Sequence, residues 1–177
     1  MLSNKQIDDL IRCPKMIIDA SPKHGMAIDR KNSFVKRKNL SLRSTADDYN
    51  FDIFIRENTM LIENFSIGLL YKTEDKNFGK ITLIRYNGEH GQNDWSRDRH
   101  YSAFHIHSIT EDLLLQGIYE AKEITLTDKF STFDSALNLF LKSVNVKNIT
   151  EYFPHYEEQL CLFEGENNGK PTESDKK

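Results

Sequence analysis

Two histidines one residue apart carry the clearest chemical signal in the sequence. They are His105 and His107. Because successive side chains of a strand point to opposite faces, both imidazoles would share one face. Phe104 and Ile106 would then form an apolar pair on the other face. The alternation predicts a half-buried strand with Tyr101 on the histidine face.

Paired imidazoles suit proton transfer without a metal ion. An unperturbed imidazole has a pKa of about 6.5, so it both accepts and donates protons near neutral pH. In RNA cleavage one histidine would deprotonate a 2′-hydroxyl and another would protonate the 5′-leaving oxygen, while an arginine would stabilise charge on the phosphate. The predicted catalytic residues are His105, His107, His90, Arg85 and Tyr101, with no metal ion and no cofactor.

The arginine and the third histidine come from a second polar segment just upstream. This segment is Arg85-Tyr-Asn-Gly-Glu-His-Gly91. A hairpin would bring it beside the histidine strand. The two segments together therefore predict one site.

Two other interpretations of the histidine pair stay open. Neighbouring imidazoles on one face can share a metal ion, with His90 or Glu89 as a third ligand. The pair followed by Glu111 resembles the first motif of cupin-type metalloproteins, although that motif has its glutamate on the strand. The simplest alternative is a pair of half-exposed sheet residues that are hydrogen-bonded to water.

Basic and aromatic residues in two segments predict contacts with nucleic acid. The candidates are Lys36, Arg37 and Lys38 in a strand, and Trp95, Arg97 and Arg99 in a long polar loop. The cations would bind phosphates, and the indole ring would stack on a base. The alternatives are solvated basic faces and a tryptophan that fastens the loop to the sheet.

Length, charge and cysteine content limit the class of protein. The 177 residues predict one domain at residues 1–163 and a disordered polar tail at residues 164–177. A net charge of -3 argues against coating nucleic acid or membranes, so nucleic-acid contact needs a local basic patch. Cys13 and Cys161 have neither zinc-site nor disulfide spacing. Without a signal peptide or a run of roughly 18 apolar residues, we expect a cytoplasmic protein with no membrane partner.

Capping signals and apolar periodicity predict the elements that position the histidines. The predicted helix starts are the capping boxes Ser3–Gln6 and Ser108–Glu111 and a cap at Ser131 or Thr132. The predicted strands are residues 33–42, 49–56, 65–71 and 80–86 and the histidine strand, with a loop at residues 19–26. The expected fold is α+β. It has a mainly antiparallel sheet of about five strands, with a short N-terminal helix and two C-terminal helices on one face.

Three segments resemble an uncharacterised family of small bacterial proteins associated with mobile elements. They are Ile81–His90, Phe104–His107 and Ser131–Phe140. More distantly, the chain resembles the small toxins of the TumE type, in which a strand ending in an Arg-Tyr/Phe-Asp-Asn turn precedes a histidine-rich strand. The residues that correspond are Arg85, Tyr86, Asn87, His90, His105 and His107, with Asn87-Gly88 in place of the Asp-Asn pair. The resemblance implies a toxin or defence-related protein with RNA as its target.

Two classes of function follow from the sequence. One is a metal-independent ribonuclease of toxin type that uses paired histidines. The other is a non-catalytic binding or inhibitor protein, encoded by a mobile element and acting through protein–protein contacts. RNA and an antitoxin or other protein are the corresponding partners. No P-loop, dinucleotide-binding fingerprint, nucleophile elbow or kinase signature is present, so the large enzyme classes built on those motifs are excluded.

Overall fold

The computed structural model describes residues 2–74, 78–89 and 103–154 of the chain. The elements are, in chain order, α1 (Asn4–Arg12), β1 (Lys15–Ser21), β2 (Ala27–Ile28), β3 (Val35–Ser44), β4 (Asn50–Asn58), β5 (Phe65–Lys72), β6 (Lys80–Asn87), β7 (His105–Ser108), α2 (Glu111–Leu115), β8 (Glu123–Leu126), α3 (Phe133–Ser143) and α4 (Ile149–Tyr152). The expected α+β class is confirmed.

The strands form one sheet in which every described pair of neighbours is antiparallel. Their order is β1-β3-β4-β5-β6-β7-β8, and β2 pairs with β3 outside this path. The expected count of about five strands is wrong, because the sheet has eight. The three extra strands are β1, β2 and β8. Residues 19–21, predicted as loop, extend β1 because they pair with β3.

Alternation along the strands divides the sheet into two faces. Phe51, Ile53 and Ile55 in β4 are buried, and they share one hydrophobic cluster with buried residues of α1, α2 and α3. We call this side the core face. The opposite side, which we call the polar face, carries Arg37, Arg56, Ser66, Arg85 and His107, as the strand register requires.

The helix termini follow the capping chemistry of the sequence. Ser3 caps α1 and Thr132 caps α3, each in a reciprocal capping box, which confirms both predicted starts. The start predicted at Ser108 is wrong, because Ser108 is the last residue of β7 and Thr110 caps α2 instead. The described chain has four helices, one more than expected, because the short α4 follows α3.

A buried lysine joins the C-terminal ends of α1 and α3. The ammonium of Lys15 donates hydrogen bonds to the carbonyls of Ile11 and Cys13 at 2.8 Å and to that of Val144 at 3.1 Å. Carbonyls at a helix C-terminus lack intrahelical donors, so a lysine can satisfy them. The ammonium also lies 4.7 Å from the centroid of the Phe51 ring. Burial lowers the pKa of Lys15.

Among the described residues, no helix combines the length and hydropathy needed to cross a bilayer. The segment predicted as a disordered tail, residues 164–177, lies outside the described residues.

Candidate functional site

The β6–β7 ladder brings the predicted arginine and the two histidines together. Arg85 is the direct cross-strand partner of His107, and Asn87 is the partner of His105. Directly paired residues in an antiparallel ladder project to the same face, so these four side chains share the polar face. The imidazole centroids of His105 and His107 are 4.9 Å apart, with the ring planes inclined by 61°.

An irregularity in β6 turns Arg85 toward the histidines. Leu70 pairs with Thr82 and Leu69 pairs with Ile84, so the β5–β6 register shifts at this point and Leu83 is the extra residue. Before the shift, Ile81 and Leu83 are buried in the core, and strict alternation would place residue 85 there too. The bulge reverses this parity. It sends Tyr86 into the core and Arg85 to the polar face, as bulges near functional sites often do.

The two imidazoles differ in their surroundings. His105 has no exposed surface, whereas His107 keeps 9% of its surface exposed. Nδ1 of His105 lies 2.8 Å from the carbonyl oxygen of Ala103, which can only accept, so Nδ1 carries a proton and donates it. In the neutral ring, Nε2 is then the atom without a proton. His105 is held in one orientation. Both rings are buried, so the alternative of two half-exposed histidines is wrong, and His107 keeps the larger exposed share.

The guanidinium of Arg85 is partly desolvated between charges of both signs. Burial lowers its pKa, Glu120 opposes that shift, and Arg56 adds to it. Its Nε is buried and has no hydrogen-bond partner within the described part of the chain. A buried donor without a partner is destabilising, unless a ligand supplies the acceptor.

Asn87 and Gly88 fix the end of β6 against β5. The side-chain oxygen of Asn87 accepts a hydrogen bond from the hydroxyl of Ser66 at 2.9 Å. Gly88 donates its backbone N–H to the carbonyl of Phe65 at 3.1 Å. A Cβ on Gly88 would overlap the carbonyl oxygen of Glu63, so only glycine allows this close approach of the two backbones.

The chain matches no protein-family model, no curated protein and no solved structure. The chemistry of the described residues therefore has to carry any functional proposal. In the part of the chain that the structure describes, no group of three or more His, Cys, Asp or Glu side chains could hold a metal ion.

The strand predicted to bind nucleic acid separates its three cations. Arg37 lies on the polar face, where it pairs across the ladder with Arg56. Lys36, its neighbour in sequence, is exposed and projects to the opposite side. The predicted role of Lys38 in binding nucleic acid must be corrected, because Lys38 is buried. Its ammonium donates hydrogen bonds to the carbonyls of Lys23 and Gly25 at 3.1 and 3.2 Å. Lys38 therefore fastens the loop between β1 and β2 and does not reach a phosphate at the surface.

Five other predicted site residues lie outside the described residues. They are His90, Tyr101, Trp95, Arg97 and Arg99. Their predicted roles stay predictions.

Sequence reasoning missed three residues of the polar face beside this site. Arg56 and Phe54 alternate with the buried Phe51, Ile53 and Ile55, and this alternation was the signal that could have placed them opposite the core. Gly68 pairs directly with both Phe54 and Arg85. No sequence signal identifies this position, because it depends on the register of three strands.

Proposed function

We propose that the protein is a metal-independent endoribonuclease of toxin type that acts on RNA in the bacterial cytoplasm. One observation carries the proposal: Arg85 lies directly opposite His107 in the ladder, while the ring of His105 is 4.9 Å from that of His107. A cation and a proton-transfer group on one face are what cleavage of a phosphodiester requires. The resemblance to TumE-type toxins supports RNA as the target.

The burial of the two histidines suggests different roles for them. His107, the more exposed ring, removes the proton of a 2′-hydroxyl. The 2′-oxygen then bonds to phosphorus, and the bond from phosphorus to the 5′-oxygen breaks. The leaving 5′-oxygen takes a proton from a second group, for which His90 is the candidate from the sequence.

Arg85 and His105 support this step without transferring protons themselves. Arg85 places positive charge where the phosphate becomes more negative, and a preorganised cation in a partly desolvated place is effective there. His105 is a positioning residue, because its Nδ1–H is fixed to the Ala103 carbonyl. The product with this balance of atoms is a 2′,3′-cyclic phosphate and a free 5′-hydroxyl.

The experiment compares RNA cleavage by the wild-type chain and by His107→Ala, in buffer with a metal chelator. We expect His107→Ala to slow cleavage about 100-fold or more, the low end of general acid–base catalysis. The product ends should be a cyclic phosphate and a 5′-hydroxyl. His24→Ala is the matched control, since His24 is exposed and lies in the loop between β1 and β2, strands at the opposite end of the strand order from β7.

Unfolding of each variant, followed by circular dichroism, separates loss of chemistry from loss of fold. An unchanged rate in folded His107→Ala would overturn the assignment of His107. Absence of cleavage by the wild-type chain on single-stranded and structured RNA would overturn the ribonuclease proposal.

An exposed sheet edge favours a second candidate function, a protein that binds another protein. Strand β8 pairs with β7 along one side, and all four of its residues are exposed. Ile124 and Leu126 are 42% and 55% exposed. An edge strand with apolar side chains can accept an extended segment of a partner by strand addition. An antitoxin segment is the partner that this edge fits.

The test is co-purification with the product of the adjacent gene, compared between the wild-type chain and Leu126→Arg. We expect the substitution to abolish the complex. RNA cleavage is measured for the same variant, because Leu126 pairs directly with His105 in the ladder. A complex that survives Leu126→Arg would exclude β8 as its interface.

A further inference from the structure

The polar face continues from the histidines in β7 across four more strands, from β6 to β3. One row of directly paired residues runs from Arg37 through Arg56, Ser66 and Asn87 to His105. The neighbouring row runs from Phe54 through Gly68 and Arg85 to His107. With strands about 4.8 Å apart, the first row crosses four inter-strand spacings and covers about 19 Å, and the second row crosses three and covers about 14 Å.

Phe54 supports the guanidinium of Arg56 above the sheet. The centre of that guanidinium lies 5.2 Å from the centroid of the Phe54 ring, within the range of a cation–π contact. The ring in turn lies over the backbone of Gly68, because a Cβ at this position would overlap Cε1 and Cζ of Phe54. Glycine, phenylalanine and arginine therefore form a stack that rises from the sheet. Its outermost group is a planar cation.

The cations of this region are not neutralised equally. Arg37 pairs with Asp29 at 3.2 Å. Arg56 is exposed and forms no ion pair with any described carboxylate. It is close enough to Arg85 to disfavour the charge there. A chain with a net charge of -3 thus gathers three arginines on one face, which is the kind of local basic patch that nucleic acid requires.

We propose that these three arginines form a track for single-stranded RNA, leading from Arg37 and Arg56 in one row to Arg85 and His107 in the neighbouring row. The track names the substrate class of the proposed ribonuclease and rests on that proposal. Phosphates contact the three guanidinium groups, and one base stacks on the free plane of Arg56. Splayed, unstacked bases are available in single strands but not in a duplex, so the stack selects single-stranded RNA.

The experiment measures RNA binding separately from cleavage. His107→Ala protein is titrated into a labelled single-stranded RNA of about 12 nucleotides, within the usual site sizes of single-strand binders, and fluorescence anisotropy gives the Kd. Adding Arg56→Ala should raise the Kd about fivefold or more, the loss expected when one stacking platform is removed. The slope of log Kd against log salt should fall by about 0.7 for the lost phosphate contact.

Arg43→Ala is the matched control. Arg43 is also an arginine on the polar side of β3, but it lies six residues from Arg37 and pairs with Asp48 at 2.5 Å. We expect it to leave both the Kd and the salt slope unchanged. Equal effects of Arg43→Ala and Arg56→Ala would mean that only overall charge matters and would overturn the track.

A second variant tests the stack without removing any charge. Gly68→Ala must displace the Phe54 ring, and the guanidinium of Arg56 with it. We expect weaker binding of single-stranded RNA at an unchanged salt slope, because all phosphate contacts keep their charge. Equal affinity for duplex RNA of the same length would overturn selection of single strands.

The outcomes separate this inference from the proposed function. If cleavage depends on His107 but RNA binding is unaffected by substitution of Arg56 and Gly68, the track is contradicted and the ribonuclease proposal stands. If RNA binding depends on Arg56 and Gly68 but the wild-type chain does not cleave RNA, the ribonuclease proposal is contradicted. The protein would then be a single-stranded RNA-binding protein.

Discussion

Buried cations on the two faces of the sheet differ in their hydrogen bonding. On the core face, Lys15 and Lys38 are buried, and backbone carbonyls surround each ammonium. On the polar face, Arg85 is also partly desolvated, yet its Nε has no acceptor among the described groups. Arg56 adds a second positive charge nearby.

We infer from this difference that Lys15 and Lys38 stabilise the fold, whereas Arg85 is placed to bind a ligand. Removing a buried cation that satisfies several carbonyls leaves those acceptors without donors, which is destabilising. Removing Arg85 also removes its attraction to Glu120, but it relieves the desolvation and the repulsion from Arg56, so little stability is lost or stability rises. Substitution of the core-face lysines should therefore lower stability, and substitution of Arg85 on the polar face should lower activity.

The largest expected effect is on stability at Lys15. Lys15→Met keeps most of the side-chain volume but leaves three carbonyls without the ammonium. We expect the free energy of unfolding to fall by about 3 kcal/mol, since breaking a buried polar network is strongly destabilising. Urea denaturation followed by circular dichroism measures it. A change below about 1 kcal/mol would mean that the ammonium does not join the two helix ends.

The opposite outcome is expected at Arg85. Arg85→Met should leave the free energy of unfolding within about 1 kcal/mol of the wild-type value, or raise it, because desolvation of the guanidinium is relieved. The same variant should lose RNA cleavage about 100-fold or more, as when a preorganised charge is removed from a reaction site. Loss of stability comparable to that of Lys15→Met would contradict the comparison between the faces.

The smallest effect is a dependence on pH that belongs to Lys15. Its pKa in the folded chain lies below the ordinary value of 10.5 because of burial. Between the lowered pKa and 10.5 the unfolded chain binds more protons, so stability rises with pH in that window. The difference in unfolding free energy between the wild-type chain and Lys15→Met should therefore increase as pH approaches 10.5. A difference that falls with pH would contradict the direction of the shift.

Local signals in the sequence were enough for much of the fold. The capping box at Ser3 and the cap at Ser131 or Thr132 were predicted from neighbouring residues, and α1 and α3 begin directly after Ser3 and Thr132. The alternation around His105 and His107 gave a strand that the structure contains. Such features depend on neighbours in the chain, which a single sequence displays.

Features that depend on distant residues were missed. Strand β8 alternates polar and apolar residues over only four positions and buries none of them, so its pattern is a weak signal, and it forms because β7 lies beside it. The register shift at Leu83 sends Arg85 to the polar face, against the alternation of its own strand. Lys38 was predicted to be a surface cation because lysines are almost never fully buried, and its carbonyl partners come from the loop between β1 and β2.

The position of Lys15 also bears on how the chain folds during synthesis. Its ammonium binds the carbonyl of Val144, which is 129 residues later in the chain. The backbone of Ile17 exchanges two hydrogen bonds with the side chain of Asn148, 131 residues away. At about 5–20 residues per second, the ribosome needs on the order of ten seconds to add that stretch. β1 can pair with β3 soon after synthesis, but the contacts of Lys15 and Ile17 with residues 144–148 form only when those residues have been added.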